Sequence, residues 1–137
     1  MTNPGDWQEI EHTADYALRV RGNTLQGLFV NAAAGLYQIA VDLTQMRAPA
    51  ERTIEVSGLD AETLLVNWLN ELLYYTETEA LGFAEFEMIE FGPRHLRAIA
   101  RGQAGAAWRK YVKAATFNGL QIESVSDRYE ATIVFDV

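Results

Sequence analysis

Shifted against itself by 36 residues, the chain lays one strand–turn–helix segment onto another. Val20, Gly22, Leu28, Val30, Asn31 and Leu36 fall on Val56, Gly58, Leu64, Val66, Asn67 and Leu72, and every pair is identical. In both segments an alternating run ends at the glycine, a capping side chain follows, and an apolar stripe begins at helical spacing. Thr24 takes the cap position in the first segment and Asp60 in the second. Leu25, Leu28, Phe29, Ala32, Ala33, Leu36, Tyr37 and Ala40 build one apolar face, on a helix expected to end near Asp42. Leu64, Leu65, Trp68, Leu69, Leu72 and Tyr75 build the other. Glu62 adds negative charge to the first turn there, favourable against the helix dipole. Two apolar stripes need a partner to cover them. The repeat therefore predicts an internal β-α duplication, with both helices packed on a common sheet.

Outside the helices, period-two alternation marks the strands. Trp7 to Glu11 and Tyr16 to Gly22 read as strand, as does "RTIEVSG". In "FAEFEMIEF", Phe83, Glu85, Glu87 and Ile89 alternate with Ala84, Phe86, Met88 and Glu90. "GPR" then turns the chain into "HLRAIARG", forming a hairpin, and the stretch from Gly102 to Ala107 reads as loop. The pattern is ambiguous from Tyr111 to Leu120, after which "LQIESVS", "DR" and "YEATIVFDV" make a closing hairpin. The expected fold is α+β. Residues 1–137 form one compact domain, a mainly antiparallel sheet of about six strands packed with two main helices.

Composition narrows the functional classes. Apolar residues make up 49% of the chain and charged ones 22%, enough for a sizeable core. There is no cysteine, so disulfides and thiolate metal sites are excluded. "MTNPGDWQEI" lacks a basic region followed by an apolar run, and no apolar stretch is long enough to span a bilayer. A cytoplasmic location, away from membranes, is expected. Acidic residues outnumber basic ones 19 to 11, giving a net charge of −8. Tight, direct nucleic-acid binding needs the opposite sign. Proteins with basic surfaces, metal cations and small molecules suit this chain better as partners.

No glycine-rich phosphate loop and no Gly-x-Ser-x-Gly elbow occurs. The two histidines, His12 and His95, are not at metal-ligand spacing. A small hydrolase built on His12 and Asp15 would lack a nucleophile and a second base. No catalytic residues are expected, and the chain does not read as an enzyme.

The informative polar residues stand at the chain's two ends. In "EHTADYALRV", His12, Thr13 and Asp15 interrupt a strand where apolar residues belong. Asp136 follows the apolar run "ATIVF", and Val137 adds the terminal carboxylate one peptide away. If the first and last strands are neighbours, these oxygen groups meet at one sheet end and suit calcium or magnesium. The simpler reading of the spacing alone is a solvated strand end at Asp136 and a turn aspartate at Asp15 bonding its own backbone. Lys113 reads by itself as an ordinary exposed lysine, His95 as decoration on an exposed strand face, and Trp68 and Tyr74 as core or its edge. Asn31 and Asn67 each sit mid-helix, where asparagine costs helix propensity. That repeat points to a structural hydrogen bond, to a loop or to a neighbouring strand's end.

Taken together, "HTADYALRVRG", "LFVNAAAGLY", "LLVNWLNELLYY", "VKAAT" and the closing "IVFDV" resemble the archease family over nearly the whole chain, in order. The resemblance implies a small acidic accessory factor for the RtcB-type RNA ligase of tRNA splicing. Such a factor helps the ligase reach its guanylylated state with GTP and a divalent metal, and supports multiple turnover. The resemblance also implies a metal site at Asp15, Asp136 and Val137, with calcium the leading ion and magnesium or manganese the alternatives. His12, which would shape the Asp15 turn, and Lys113 are the implied contacts to partner or nucleotide. Three departures stand out. Phe117 and Asn118 replace a Tyr-His pair, Asn67 replaces an aspartate common among relatives, and the segment from Gly102 to Lys110 differs from the usual one.

Overall fold

The computed structural model describes residues 6–11, 16–44 and 48–137, and within them the two repeated units are built alike. Strand β2 (Tyr16–Gly22) leads into helix α1 (Leu25–Ala40), and strand β4 (Pro49–Ser57) leads into helix α2 (Ala61–Glu79). Each helix is capped from the side chain. Thr24 accepts from the Gly27 N–H at 2.9 Å and Asp60 from the Thr63 N–H at 2.8 Å. Both turn glycines are required by close approach. A β-carbon at Gly58 would lie 2.6 Å from the Leu64 nitrogen, and one at Gly22 would collide with the matching nitrogen of Leu28. The repeated asparagines reach back to the strand ends. Asn31 Nδ2 donates to the Arg21 carbonyl and Asn67 Nδ2 to the Ser57 carbonyl, both at 2.7 Å.

The expected sheet is divided into three, and every pairing is antiparallel. In the first sheet, β2 lies between β1 (Trp7–Glu11) and β10 (Arg128–Asp136), while β8 (Ala114–Ala115) and β9 (Glu123–Val125) both pair with β10. A second sheet runs β4, β6 (His95–Ala104), β5 (Leu81–Phe91). The short strands β3 (Val41–Asp42) and β7 (Ala107–Trp108) form a third. Helix α1 ends at Ala40, slightly before the expected boundary, because Val41 turns to extended backbone and joins β3. The stretch expected as loop begins as strand, since Gly102 to Ala104 continue β6 opposite β4 and β5.

The two helices are joined by buried polar contacts as well as apolar ones. Trp68 Nε1 donates to the Phe29 carbonyl at 3.0 Å, and the hydroxyls of Tyr37 and Thr76 lie 2.7 Å apart. Both bonds are buried, so each satisfies polar atoms that would otherwise be stranded in the core. Trp68 is fully buried, whereas Tyr74 is exposed. His95 sits at the start of β6 with its ring 2.8 Å from the Glu55 carboxylate on a solvated face. No helix among the described residues is long and apolar enough to cross a membrane.

Alternation in β5 is broken twice. Phe83 faces Gly102 and Glu85 faces Arg101, which leaves Ala84 as an extra residue. Ile89 is a second extra residue, between Met88 opposite Ala98 and Glu90 opposite Arg97. Each bulge shifts the parity of the side chains. Phe83, Phe86, Met88 and Phe91 therefore all pack against the core, while Glu85, Glu87 and Ile89 are exposed. The simple alternation expected from sequence, which grouped Phe83 with Ile89, is corrected by these bulges.

Candidate functional site

The register of β2 against β10 defines one end of the first sheet. Tyr16 pairs with Phe135, and their rings lie 5.8 Å apart. In sequence, Asp136 follows Phe135 and Asp15 precedes Tyr16. Asp136 is exposed and pairs with Ala114 of β8, and its carbonyl accepts from the Lys113 N–H at 2.8 Å. Lys113 and Val137 are exposed beside it. Three of the implied site residues therefore share this end: Lys113, Asp136 and Val137. His12 and Asp15 lie outside the described residues. Among the described residues no three His, Asp or Glu side chains converge.

What holds Lys113 there is a contact that the sequence reading missed. The Asn70 side chain on α2 acts as a strand partner for β8. Its Oδ1 accepts from the Ala115 N–H at 2.7 Å, and its Nδ2 donates to the Ala115 carbonyl at 3.2 Å. On the other side, Thr116 donates from both its N–H and its hydroxyl to the Val134 carbonyl. The two-residue strand is thus clamped between a helix and β10. An asparagine three residues beyond Asn67, again among apolar helix positions, was the available signal.

A second unforeseen group lies under this end. Tyr16 is 3% exposed, and its hydroxyl is buried without a hydrogen-bond partner among the described residues. Burial, with the Glu9 carboxylate nearby, pushes the phenol well above its ordinary range, so it stays protonated and able to donate. Lys110 Nζ lies 4.3 Å from the Tyr16 ring centroid and pairs with the Glu9 carboxylate. The Arg109 and Lys110 N–H groups both donate to the Ala40 carbonyl, bringing two cationic residues to the α1 carboxyl end. A concavity of about 430 Å³ lies at the opposite end of β2, lined by Gly22, Asn23, Thr24 and Arg128. Arg21 in that wall is already paired with Glu130 at 3.0 Å.

A sequence profile of the archease protein family (MTH1598/TM1083) matches residues 7–137. The chain is 32% identical to the protein archease of Methanosarcina acetivorans, over 96% of this chain and 95% of that one. It is 34% identical to that of Pyrococcus furiosus, over 96% and 98%. The solution structure of Methanobacterium thermoautotrophicum protein 1598 superposes with a TM-score of 0.77 at 29% identity, covering 96% of this chain and 99% of that one. A Thermotoga maritima crystal structure, described as an archease and possible chaperone, superposes with a TM-score of 0.69 at 21% identity, covering 100% and 98%. At that identity the second structure speaks for the fold.

Proposed function

Since the chain belongs to the archease family, we propose that it is an accessory protein activating an RtcB-type RNA ligase in tRNA splicing or RNA repair. It promotes GTP- and divalent-metal-dependent guanylylation of the ligase and supports multiple turnover. The chemistry belongs to the partner, and this chain contributes no catalytic residue. The carrying observation is the pairing of Tyr16 with Phe135, the neighbours in sequence of Asp15 and Asp136.

The described oxygen donors fit a hard cation: an exposed carboxylate at Asp136 and the main-chain oxygen of Val137, with no thiolate in the chain. Asp15, Asp136 and Val137 would hold the ion, calcium first and magnesium or manganese as alternatives. When bound it would supply local positive charge beside an otherwise acidic protein. Asp136 fixes its place through a bond from the Lys113 N–H to its main-chain carbonyl, which does not engage its carboxylate. Lys113 and His12 contact the ligase or its nucleotide. The net charge of −8 steers the chain toward a basic active-site mouth, which affects encounter and orientation more than affinity.

The test is a guanylylation and ligation assay with the cognate ligase, this chain titrated from zero. Asp15→Ala and Asp136→Ala should each abolish stimulation while circular dichroism and melting stay near the parent. Full stimulation by both variants removes the metal role. The second reading is an adaptor that binds an RNA-modifying enzyme without metal, and the net charge of −8 suits a basic partner surface in either case. Pull-down of the ligase with and without chelator separates the two, because only the adaptor is indifferent to chelation.

A further inference from the structure

The two repeated units differ in one strand. β2 has a neighbour on each edge, β10 on one and β1 on the other, whereas β4 has only β6 among the described residues. Hydrogen bonds tell which edge of β4 is open, because backbone groups along a strand point alternately to its two sides. The Gly58 N–H donates to the carbonyl of Arg94, which directly precedes β6. The Arg21 N–H donates to the carbonyl of Asp6, which directly precedes β1. The counterpart of Arg21 in the repeat is Ser57, one residue before Gly58. Its N–H therefore points away from β6, toward the side that β1 fills in the first unit. Thr53 and Glu55 follow the same parity. Asn67 holds the Ser57 carbonyl just as Asn31 holds that of Arg21, and β1 pairs with β2 all the same.

A groove lies where the counterpart of β1 would pack. In the first unit Trp7 of β1 pairs with Val20, and its ring rests on Gly35 of α1, where a β-carbon would come within 2.7 Å of it. The counterparts of Val20 and Gly35 are Val56 and Glu71. Both line an open groove of about 550 Å³, together with Ser57, Asn67, Asn70 and Tyr74. Glu71 is half-buried and has no hydrogen-bond or ion-pair partner among the described residues. We propose that the open edge of β4 takes up an extended, basic segment of a partner protein, which adds a strand in the place that β1 holds in the first unit. A lysine or arginine of that segment lies opposite Val56, its stem along Val56 and Tyr74 and its charge on Glu71. The solvent face of β4 carries Glu51, Thr53, Glu55 and Ser57, with no cation among them, so alternate positions of the segment are basic too. Those carboxylates and the net charge of −8 oppose pairing with a second copy of this chain.

The full chain is mixed with a capped peptide, Thr-Arg-Lys-Val-Lys-Val, and followed by amide hydrogen exchange and by the anisotropy of labelled peptide. Alone, the chain should exchange its Thr53, Glu55 and Ser57 amides quickly and its Ile54 and Val56 amides slowly. Peptide should slow the first three at least tenfold and leave the other two unchanged. Glu71→Gln should weaken peptide binding about three- to tenfold. Thr53→Pro removes an N–H directed at the open edge and should abolish binding, with Ile54 and Val56 still slow as the sign of an intact β4–β6 pairing. A peptide with glutamate in place of its arginine and lysines should not bind. The inference is overturned if the three amides stay fast with peptide present, if Glu71→Gln binds like the parent, or if the acidic peptide binds as well. Protection of the same amides that grows with the concentration of the chain alone would assign the edge to a second copy and overturn the basic partner. None of these readouts involves a metal or the ligase, so their outcome is separate from that of the activation assay.

Discussion

Asn31 and Asn67 make the same bond in different surroundings, each donating across 2.7 Å to the strand end before its own helix. The Asn31 bond to Arg21 is half-buried, and the Asn67 bond to Ser57 is open to solvent. Water can replace a lost partner at Ser57 more readily than at Arg21. Asn31→Ala should therefore cost about 1–2 kcal/mol and Asn67→Ala about 0.5–1 kcal/mol in denaturant unfolding. A larger loss at Asn67 would contradict this ordering. Asn67→Asp exchanges the donor for an acceptor facing a carbonyl. It should destabilise most above the carboxylate's pKa, where the acid cannot donate.

These asparagines also show how far the sequence could be read. A polar residue repeated inside two apolar helices has few explanations, and the strand-end bond was one of those expected. Helix caps, turn glycines and the two apolar faces were legible because each follows from local chemistry. The bulges at Ala84 and Ile89 were not, since a residue added to a strand leaves no local mark beyond altered parity. Asn70 stood out as a polar residue among apolar helix positions, but its partner Ala115 lies 45 residues away, and no local pattern names a partner at that separation. Asp136 and Lys113 were nameable through resemblance, while Tyr16 read only as the start of a strand, and nothing local shows that its hydroxyl is buried without a partner among the described residues.

Ala80 ends α2 in the left-handed region, at φ 54° and ψ 39°, with its N–H bonded to the Thr76 carbonyl. Glycine occupies such a position without the steric conflict of a β-carbon. Ala80→Gly should stabilise the chain by about 0.5–1 kcal/mol, even though glycine is the more flexible residue when unfolded. Chemical denaturation reads this as a higher midpoint with unchanged slope. A lower midpoint would show that the cap is not strained.

Asp60 caps α2 by accepting from the Thr63 N–H, and bonds from Thr63 hold its carboxyl below the ordinary carboxylate value. A group whose folded pKa is depressed stabilises the fold above its unfolded pKa and loses that contribution as pH falls through the folded one. Asp60→Asn keeps a capping oxygen and removes the charge. The variant should melt below the parent at neutral pH, and the two curves should converge as pH drops below about 4. A difference that persists unchanged into acid would place the effect in the cap's shape and not in its charge.

Asn70 is the link between the helical layer and the candidate site. Both bonds of its amide go to Ala115, whose strand partner is Phe135, and Lys113 sits two residues before Ala115. Asn70→Leu fits an apolar neighbourhood yet removes both bonds, so about 1–3 kcal/mol of stability should be lost. The more diagnostic readout is local. The Ala115 amide should lose at least tenfold of its hydrogen-exchange protection, while amides of the β2–β10 pairing far from β8 stay slow. Calcium affinity should fall with it, because the segment carrying Lys113 is no longer held against Asp136. An Ala115 amide that exchanges as slowly as in the parent would mean that β10 alone fixes β8, and the helix would then have no hold on this end of the sheet.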